Sequence, residues 1–222
     1  CEIKYLQKKE SRLVHPIAIA EDSAFHFRYQ ETKELLERNG MPTITWKPLE
    51  NKQIPKEAKG LIIPGGFPEQ HAKQLSNSKI SLNSIKIFAN KFPIYAECGG
   101  MMLLGKSIFD LEGREHKMAG ILPFKSKKGA LKIGYREAIT QNKSPITNPG
   151  NKLIGHEFHR WEIINESYNS KINCIWEIKG WGVEIKNEGF CNHLIHASWI
   201  HLHWASTPLI LENWKRSVMN YA

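Results

Sequence analysis

Cysteine is scarce in this chain, and its placement excludes two familiar roles. Cys1, Cys98, Cys174 and Cys191 are far apart and form no C-x-x-C pair, so neither a disulfide framework nor the usual zinc spacings can be built from them. The helical zinc signature H-E-x-x-H is missing as well. No apolar run comes near the roughly 20 residues that cross a bilayer as a helix. No G-x-x-x-x-G-K-[ST] sequence occurs, which removes the usual backbone cradle for the phosphates of ATP. Arginine is sparse too: 24 of the 31 basic residues are lysines spread along the chain, so the formal charge of +9 reads as a solvated surface. Nucleic-acid domains lean on clustered arginine, and no nucleic-acid partner is expected. With no signal-peptide pattern either, the expectation is a reduced, cytoplasmic protein with no metal of its own and no membrane contact.

What is present gathers around one of those cysteines. Phe92–Ala96 reads as a short buried strand and Met101–Leu104 as the first turn of a helix. Cys98, within Tyr95-Ala96-Glu97-Cys98-Gly99-Gly100, therefore falls on the bend between them. This is the arrangement of a nucleophile elbow with cysteine in place of serine. Unpaired N–H groups and the positive dipole end of a helix start both favour a thiolate there. Gly99 and Gly100 leave room for a substrate carbonyl to approach the backbone, and the Gly99 N–H becomes one candidate oxyanion donor. A packed, inert cysteine is the competing reading.

A second apolar run, Leu61–Pro64, ends in Gly65-Gly66-Phe67-Pro68-Glu69, earlier by about one strand–helix–strand unit of roughly 30 residues. The carboxyl ends of neighbouring parallel strands line one crevice, so this glycine pair would face Cys98 and Gly66 would supply a second oxyanion donor. A base is expected among the histidines near the C-terminus, His193, His196, His201 and His203. On a strand, His201 and His203 share one face and His196 takes the other. Either His201 or His203 could take a proton from a thiol and pass one to a leaving amine.

Strands are expected near 16–20, 43–47, 60–64 and 93–97, separated by helices near 29–39, 68–75 and 79–90. That alternation predicts an α/β, flavodoxin-like fold: a mainly parallel sheet with helices on both faces. Beyond residue 130 the runs 131–139, 153–164, 172–177, 181–185 and 193–204 read as additional antiparallel strands, and a last helix runs from Thr207 to about Met219. The polar stretch 141–150 and the lysine-rich Lys125–Gly129 read as loops.

Six blocks, in order, carry a family resemblance. They are Ile17-Ala18-Ile19-Ala20 followed by Asp22 and Ala24-Phe25; Gly65-Gly66-Phe67-Pro68-Glu69; Tyr95 to Gly100; Gly134-Tyr135-Arg136; Gly155-His156-Glu157-Phe158-His159; and His196 to His203. The chain resembles the glutamine amidotransferase domain of cobyrinate a,c-diamide synthases, on the branch shared with cobyric acid synthases in the class I amidotransferase superfamily. The resemblance implies that Cys98 is a glutaminase nucleophile and that His201 activates it. Many class I amidotransferases carry an orienting glutamate two residues after the histidine, where this chain has His203; His203 and Glu157 are the candidates for that orienting role. It further implies that L-glutamine is hydrolysed through a γ-glutamyl thioester, and that the ammonia goes to an N-terminal synthetase domain of the same polypeptide. That domain would bind ATP and Mg2+ and activate a corrinoid polycarboxylate, so no cofactor is expected in this chain itself. Residues 1–15, beginning at Cys1, are expected to be the linker from that domain and 16–222 the amidotransferase domain. A homodimer is left open. Two alternatives stand beside this reading: the amidotransferase domain of cobyric acid synthase or another tetrapyrrole amidase, and a non-catalytic amidotransferase-like binding module. His26, Arg28 and Thr32 depart from the family pattern and bear on the edge that meets a partner.

Overall fold

The structure is a computed structural model, and it describes residues 15–164, 171–180 and 182–221. The expected linker over residues 1–15 lies outside the described residues except for His15. Four short runs form strands β1 (Ile17–Ala20), β2 (Thr43–Trp46), β3 (Gly60–Ile63) and β4 (Ile94–Glu97). Every residue of β1, β3 and β4 is buried, as strands covered on both faces require. Helices α1 (Gln30–Arg38), α2 (Ala72–Asn77) and α3 (Lys79–Phe88) connect them, and α4 (Gly99–Leu104) follows β4 directly after Cys98. The second half adds β5 (Ser107–Phe109), β6 (Glu115–Lys117), β7 (Lys125–Thr140), β8 (Lys152–Ile164), β9 (Trp176–Gly180), β10 (Val183–Glu188), β11 (Phe190–Cys191), β12 (Ile195–Ser198), β13 (Ile200–His201) and α5 (Pro208–Tyr221).

The strands form two sheets. The first has the order β11-β12-β4-β3-β1-β2, parallel throughout except for β11 at its edge. Its parallel part follows the flavodoxin-like order, which places a crevice outside the carboxyl ends of the strands. Alternation divides the core into two layers. Ile17, Ile19, Ile62 and Tyr95 pack with Leu36 of α1 and Trp214 of α5, while Ala18, Leu61, Ile63 and Ala96 pack with Leu75, Ile85 and Met101 of α2, α3 and α4. Helices thus cover both faces, as expected. Each fully buried large aliphatic side chain contributes about 1.5–3 kcal/mol to holding the layers together.

The second sheet is built on the long antiparallel pair of β7 and β8; β5 with β6, and β9 with β10, add to opposite ends of the β7 edge that faces away from β8. Two expectations are corrected here. Lys125–Gly129 is not a loop: it is the first part of β7, where Lys125 and Ser126 pair with Ile164 and Ile163 of β8 and with Ser107 and Ile108 of β5. Its lysines conceal a strand because they alternate with Ser126, which is fully buried. The run 193–204 is not one strand either. It lies in the first sheet as β12, breaks at Trp199, and continues in the second sheet as β13 paired with β8. Glu188 holds that break, accepting hydrogen bonds from Ser198 Oγ at 2.6 Å and from the Trp199 N–H at 2.8 Å. The Ser198 hydroxyl oxygen in turn accepts from Trp176 Nε1 and from the Ile200 N–H.

Candidate active site

Cys98 stands where β4 ends and α4 begins, with φ 48° and ψ −109°. A non-glycine residue in that region costs about 1–3 kcal/mol, and neighbouring contacts must impose it. Two of them are visible: the Cys98 N–H donates to Ser198 O of the adjacent β12 at 2.8 Å, and Cys98 O accepts from the Met102 N–H of α4 at 3.1 Å. The turn also requires Gly100, where a Cβ would lie 2.1 Å from Ile63 O. The expected elbow is therefore formed, held between β3 and β12.

Gly66 and Gly99 lie side by side. A Cβ on Gly99 would fall 3.2 Å from the Gly66 nitrogen, and one on Gly66 would fall 2.1 Å from Ala24 O, so neither position admits a side chain. Neither N–H donates to a backbone acceptor among the described residues, which leaves both available to an oxygen beside Cys98. The loop after β1 closes over this turn, with the Phe27 N–H bonded to Gly65 O and the Phe67 N–H to Ala24 O.

His201 reaches Cys98 from the second sheet. Its ring is 2% exposed, lines the same cavity as Cys98, and lies against Gly65, where a Cβ would come 2.7 Å from Cε1. The Phe27 ring meets it edge-on at 5.2 Å and the His156 ring sits 5.0 Å away. Its other nitrogen, Nδ1, faces Glu97 Oε2 at 3.5 Å, an ionic contact rather than a formed hydrogen bond. Burial alone would lower the imidazole pKa. The neighbouring Cys98 sulfur and Glu97 carboxylate outweigh it and push it up to about 10, which favours the imidazolium at neutral pH. At neighbouring His156 burial and the His201 charge act together, and its pKa is lowered.

The two expected orienting candidates are placed elsewhere. The Glu157 carboxylate is taken by Arg136 Nε at 2.7 Å and His159 Nε2 at 2.8 Å. Burial opposes its ionisation, but these partners hold it down to about 2. Its backbone sits opposite Ile200, so it braces the strand that carries His201 without meeting the ring. His203 lies past the end of β13, and its ring stands edge-on against Tyr29 at 4.8 Å. His196 is fully buried, stacked on Tyr95 and bonded to Ser144, with its pKa lowered to about 3 by burial.

Glu97 is the acid that sequence reasoning missed. One of its oxygens accepts from the Tyr95 hydroxyl and from the Leu202 N–H at 3.0 Å, which leaves the other facing His201. The available signal was a glutamate inside an otherwise apolar buried strand, directly before the cysteine. Cys98, His201, Gly66, Glu69, Phe158 and Trp199 are among the residues lining one cavity of about 190 Å³. That suits a single amino acid and falls below the roughly 300–1,000 Å³ of drug-sized sites. Among the described residues no three His, Cys, Asp or Glu side chains gather as metal ligands, and no helix is long and apolar enough to cross a membrane.

A cysteine sulfur on an elbow, an imidazole facing a carboxylate, and the N–H of Gly66 with that of Gly99 beside it are an arrangement suited to acyl transfer from an amide. Residues 16–209 match the profile of the CobB/CobQ-like glutamine amidotransferase domain. Cobyrinate a,c-diamide synthase of Synechococcus sp. is 35% identical over 201 residues, covering 89% of this chain and 43% of that protein. The enzyme of the same name from Caldanaerobacter subterraneus is 38% identical over 204 residues, 88% of this chain and 44% of its own. Hydrogenobyrinate a,c-diamide synthase of Streptomyces coelicolor is 32% identical over 197 residues, 86% and 38%. The chain thus spans less than half the length of these curated relatives. Among solved structures, a glutamine amidotransferase superposes with a TM-score of 0.64 at 15% identity, covering 91% of this chain and 98% of that one. PurLQS from Thermotoga maritima gives 0.63 at 15% identity, covering 94% and 99%. At such identities the structural likeness concerns the fold, a class I amidotransferase α/β fold, while the sequence matches concern descent. The chain belongs to the CobB/CobQ-like glutamine amidotransferase domain family.

Proposed function

We propose that this chain is the glutaminase part of an ATP-dependent cobyrinate a,c-diamide synthase, with Cys98 as nucleophile and His201 as its acid–base partner. The observation that carries the reading is Cys98 on a strained elbow, within one cavity with His201 and Gly66, and with Gly99 packed beside Gly66. In this reading the Cys98 sulfur attacks the γ-carboxamide carbon of glutamine, and the carbonyl oxygen takes its negative charge facing the two N–H groups. His201 gives its proton to the departing nitrogen, and ammonia leaves a γ-glutamyl thioester. The now neutral imidazole takes a proton from water, which attacks the thioester and releases glutamate. Glu97 keeps the imidazole oriented and favours its charged form. The names of the relatives support a corrinoid polycarboxylate as the acceptor, with ATP and Mg2+ bound by a synthetase domain in the rest of the polypeptide.

The second sheet offers a place for that domain. Ile133, Tyr135 and Ile154 are 61%, 78% and 68% exposed, and the β7–β8 register puts them on one face with His156 and Phe158. This apolar face continues into the cavity mouth through Phe158 and Leu131. A partner seated there would close the cavity against water and receive ammonia directly.

The test is amidation by the full-length protein. Cys98→Ala is expected to lose glutamine-dependent amidation and glutamate release while amidation from added ammonia survives. Glutamine use near the wild-type level in that variant would reject the assignment.

A further inference from the structure

The cavity contains two charges that the chemistry at Cys98 does not use. Of its ionisable side chains, His201 is engaged by Cys98 and Glu97, and His159 by Glu157 and Trp161 O. Glu69 and Arg160 have no ion-pair partner among the described residues, yet both line the cavity that holds Cys98. Glu69 is 8% exposed and sits in the short 3-10 turn Pro68–His71, just after the Gly65–Gly66 pair. Arg160 is exposed, on β8 at the rim. A carboxylate so buried without a cation carries a desolvation cost, and burial accordingly pushes the Glu69 carboxyl up to about 7, with only its own backbone N–H opposing. A site that keeps an unpaired acid inside and an unpaired guanidinium at the rim is complementary to a small zwitterion.

We propose that Glu69 and Arg160 recognise the α-ammonium and α-carboxylate of the free amino acid whose side-chain amide meets Cys98. The inference rests on the glutaminase reading and adds to it the basis of substrate choice. Glutamine enters with its amide toward Cys98 and its zwitterionic end toward the rim. Glutamine within a peptide, N-acylated glutamine and simple primary amides lack one or both charges, and leave Glu69 or Arg160 unpaired. A charge-assisted pair lost at such a site costs roughly 10- to 100-fold in recognition.

Two electrophiles that both alkylate Cys98 separate this inference from the reading beneath it. One is the chloromethyl ketone analogue of glutamine, which retains the α-amino acid and loses chloride as the sulfur–carbon bond forms. The other is iodoacetamide, which loses iodide in the same way and carries neither α-charge. With the full-length protein, Glu69→Gln and Arg160→Met are each expected to slow inactivation by the chloroketone at least tenfold while changing the iodoacetamide rate less than about threefold. Both variants should raise KM for L-glutamine more than they lower kcat, and Glu69→Gln should narrow the preference for glutamine over N-acetylglutamine. Arg160 is exposed, so its variant keeps the test open should Glu69→Gln fold poorly. Wild-type chloroketone rates in both variants would overturn the role of Glu69 and Arg160 while leaving Cys98 as nucleophile. Failure of either reagent to label Cys98 in the wild-type protein would instead overturn the glutaminase reading itself.

Discussion

Glu97 Oε2 lies 3.5 Å from His201 Nδ1, so the carboxylate facing the imidazole comes from the residue next to Cys98 and not from the strand that carries the histidine. Its other oxygen is tied to the Leu202 N–H, and one side chain thereby joins the end of β4 to the end of β13. Removing its charge makes the imidazolium less favourable, so His201 would lose its proton at a lower pH than about 10. Glu97→Gln is expected to lower glutaminase kcat by roughly 10- to 100-fold and to move the alkaline limb of the pH–rate profile to lower pH. A profile that stays in place with normal kcat would show that Glu97 only fastens strands.

The two nearby histidines should separate cleanly. His201→Asn removes the imidazole that faces Glu97 within the cavity of Cys98 and is expected to reduce glutaminase kcat by about a hundredfold or more. His203→Asn alters an edge contact with Tyr29 and should stay within roughly threefold of wild type. Steady-state glutamate release by both variants decides this, and equal losses would mean that His203 acts in the site.

Glu188 gives a stability signature. Burial pushes its carboxyl from about 4.5 up to about 7, so the folded state keeps a proton that the unfolded state has already released. Its contribution is fully present below about pH 4.5 and is lost as pH rises through about 7, an effect of about 3 kcal/mol. Chemical denaturation of wild type and Glu188→Gln at pH 5 and pH 7.5 should show the difference between the two proteins changing by that order. A difference independent of pH would mean that Glu188 does not titrate in this range.

Much of this was legible in the sequence, for identifiable reasons. β1, β3 and β4 are buried on both faces and read as apolar runs, and a cysteine between such a run and two glycines defines an elbow. β5 and β6 were invisible because each is three residues long, and the start of β7 was concealed by lysines pointing to water. The orienting residue was sought two residues after the histidine because the family resemblance implies a glutamate there. In this chain that position is His203, past the end of β13 after the chain has changed sheets at Trp199, and the carboxylate that faces the imidazole comes from β4 instead. Glu157 stood out within a histidine-rich block, but Arg136 is 3% exposed beside it and claims its charge.

The exposed face of β7 and β8 makes a prediction of its own. Tyr135→Asp or Ile154→Asp removes no group from the cavity lining and, at exposed positions, should change the melting temperature little. In the full-length protein each is expected to leave ammonia-dependent amidation intact while glutamine-dependent amidation falls and released ammonia escapes to solvent. Measuring glutamate formed per amide formed tests this, and a ratio that stays at the wild-type value would place the partner on another surface.

Cys98 ends a strand of the first sheet, whereas His201 belongs to a strand of the second. The distance between sulfur and imidazole is therefore a gauge of how the two sheets sit on one another, read out at the site of chemistry. A slight slide of the β7–β8 pair against the parallel core would stretch the dyad without disturbing either sheet internally. Whatever presses on the outer face of that pair could thus set the reaction rate, as a finger on a string sets its pitch.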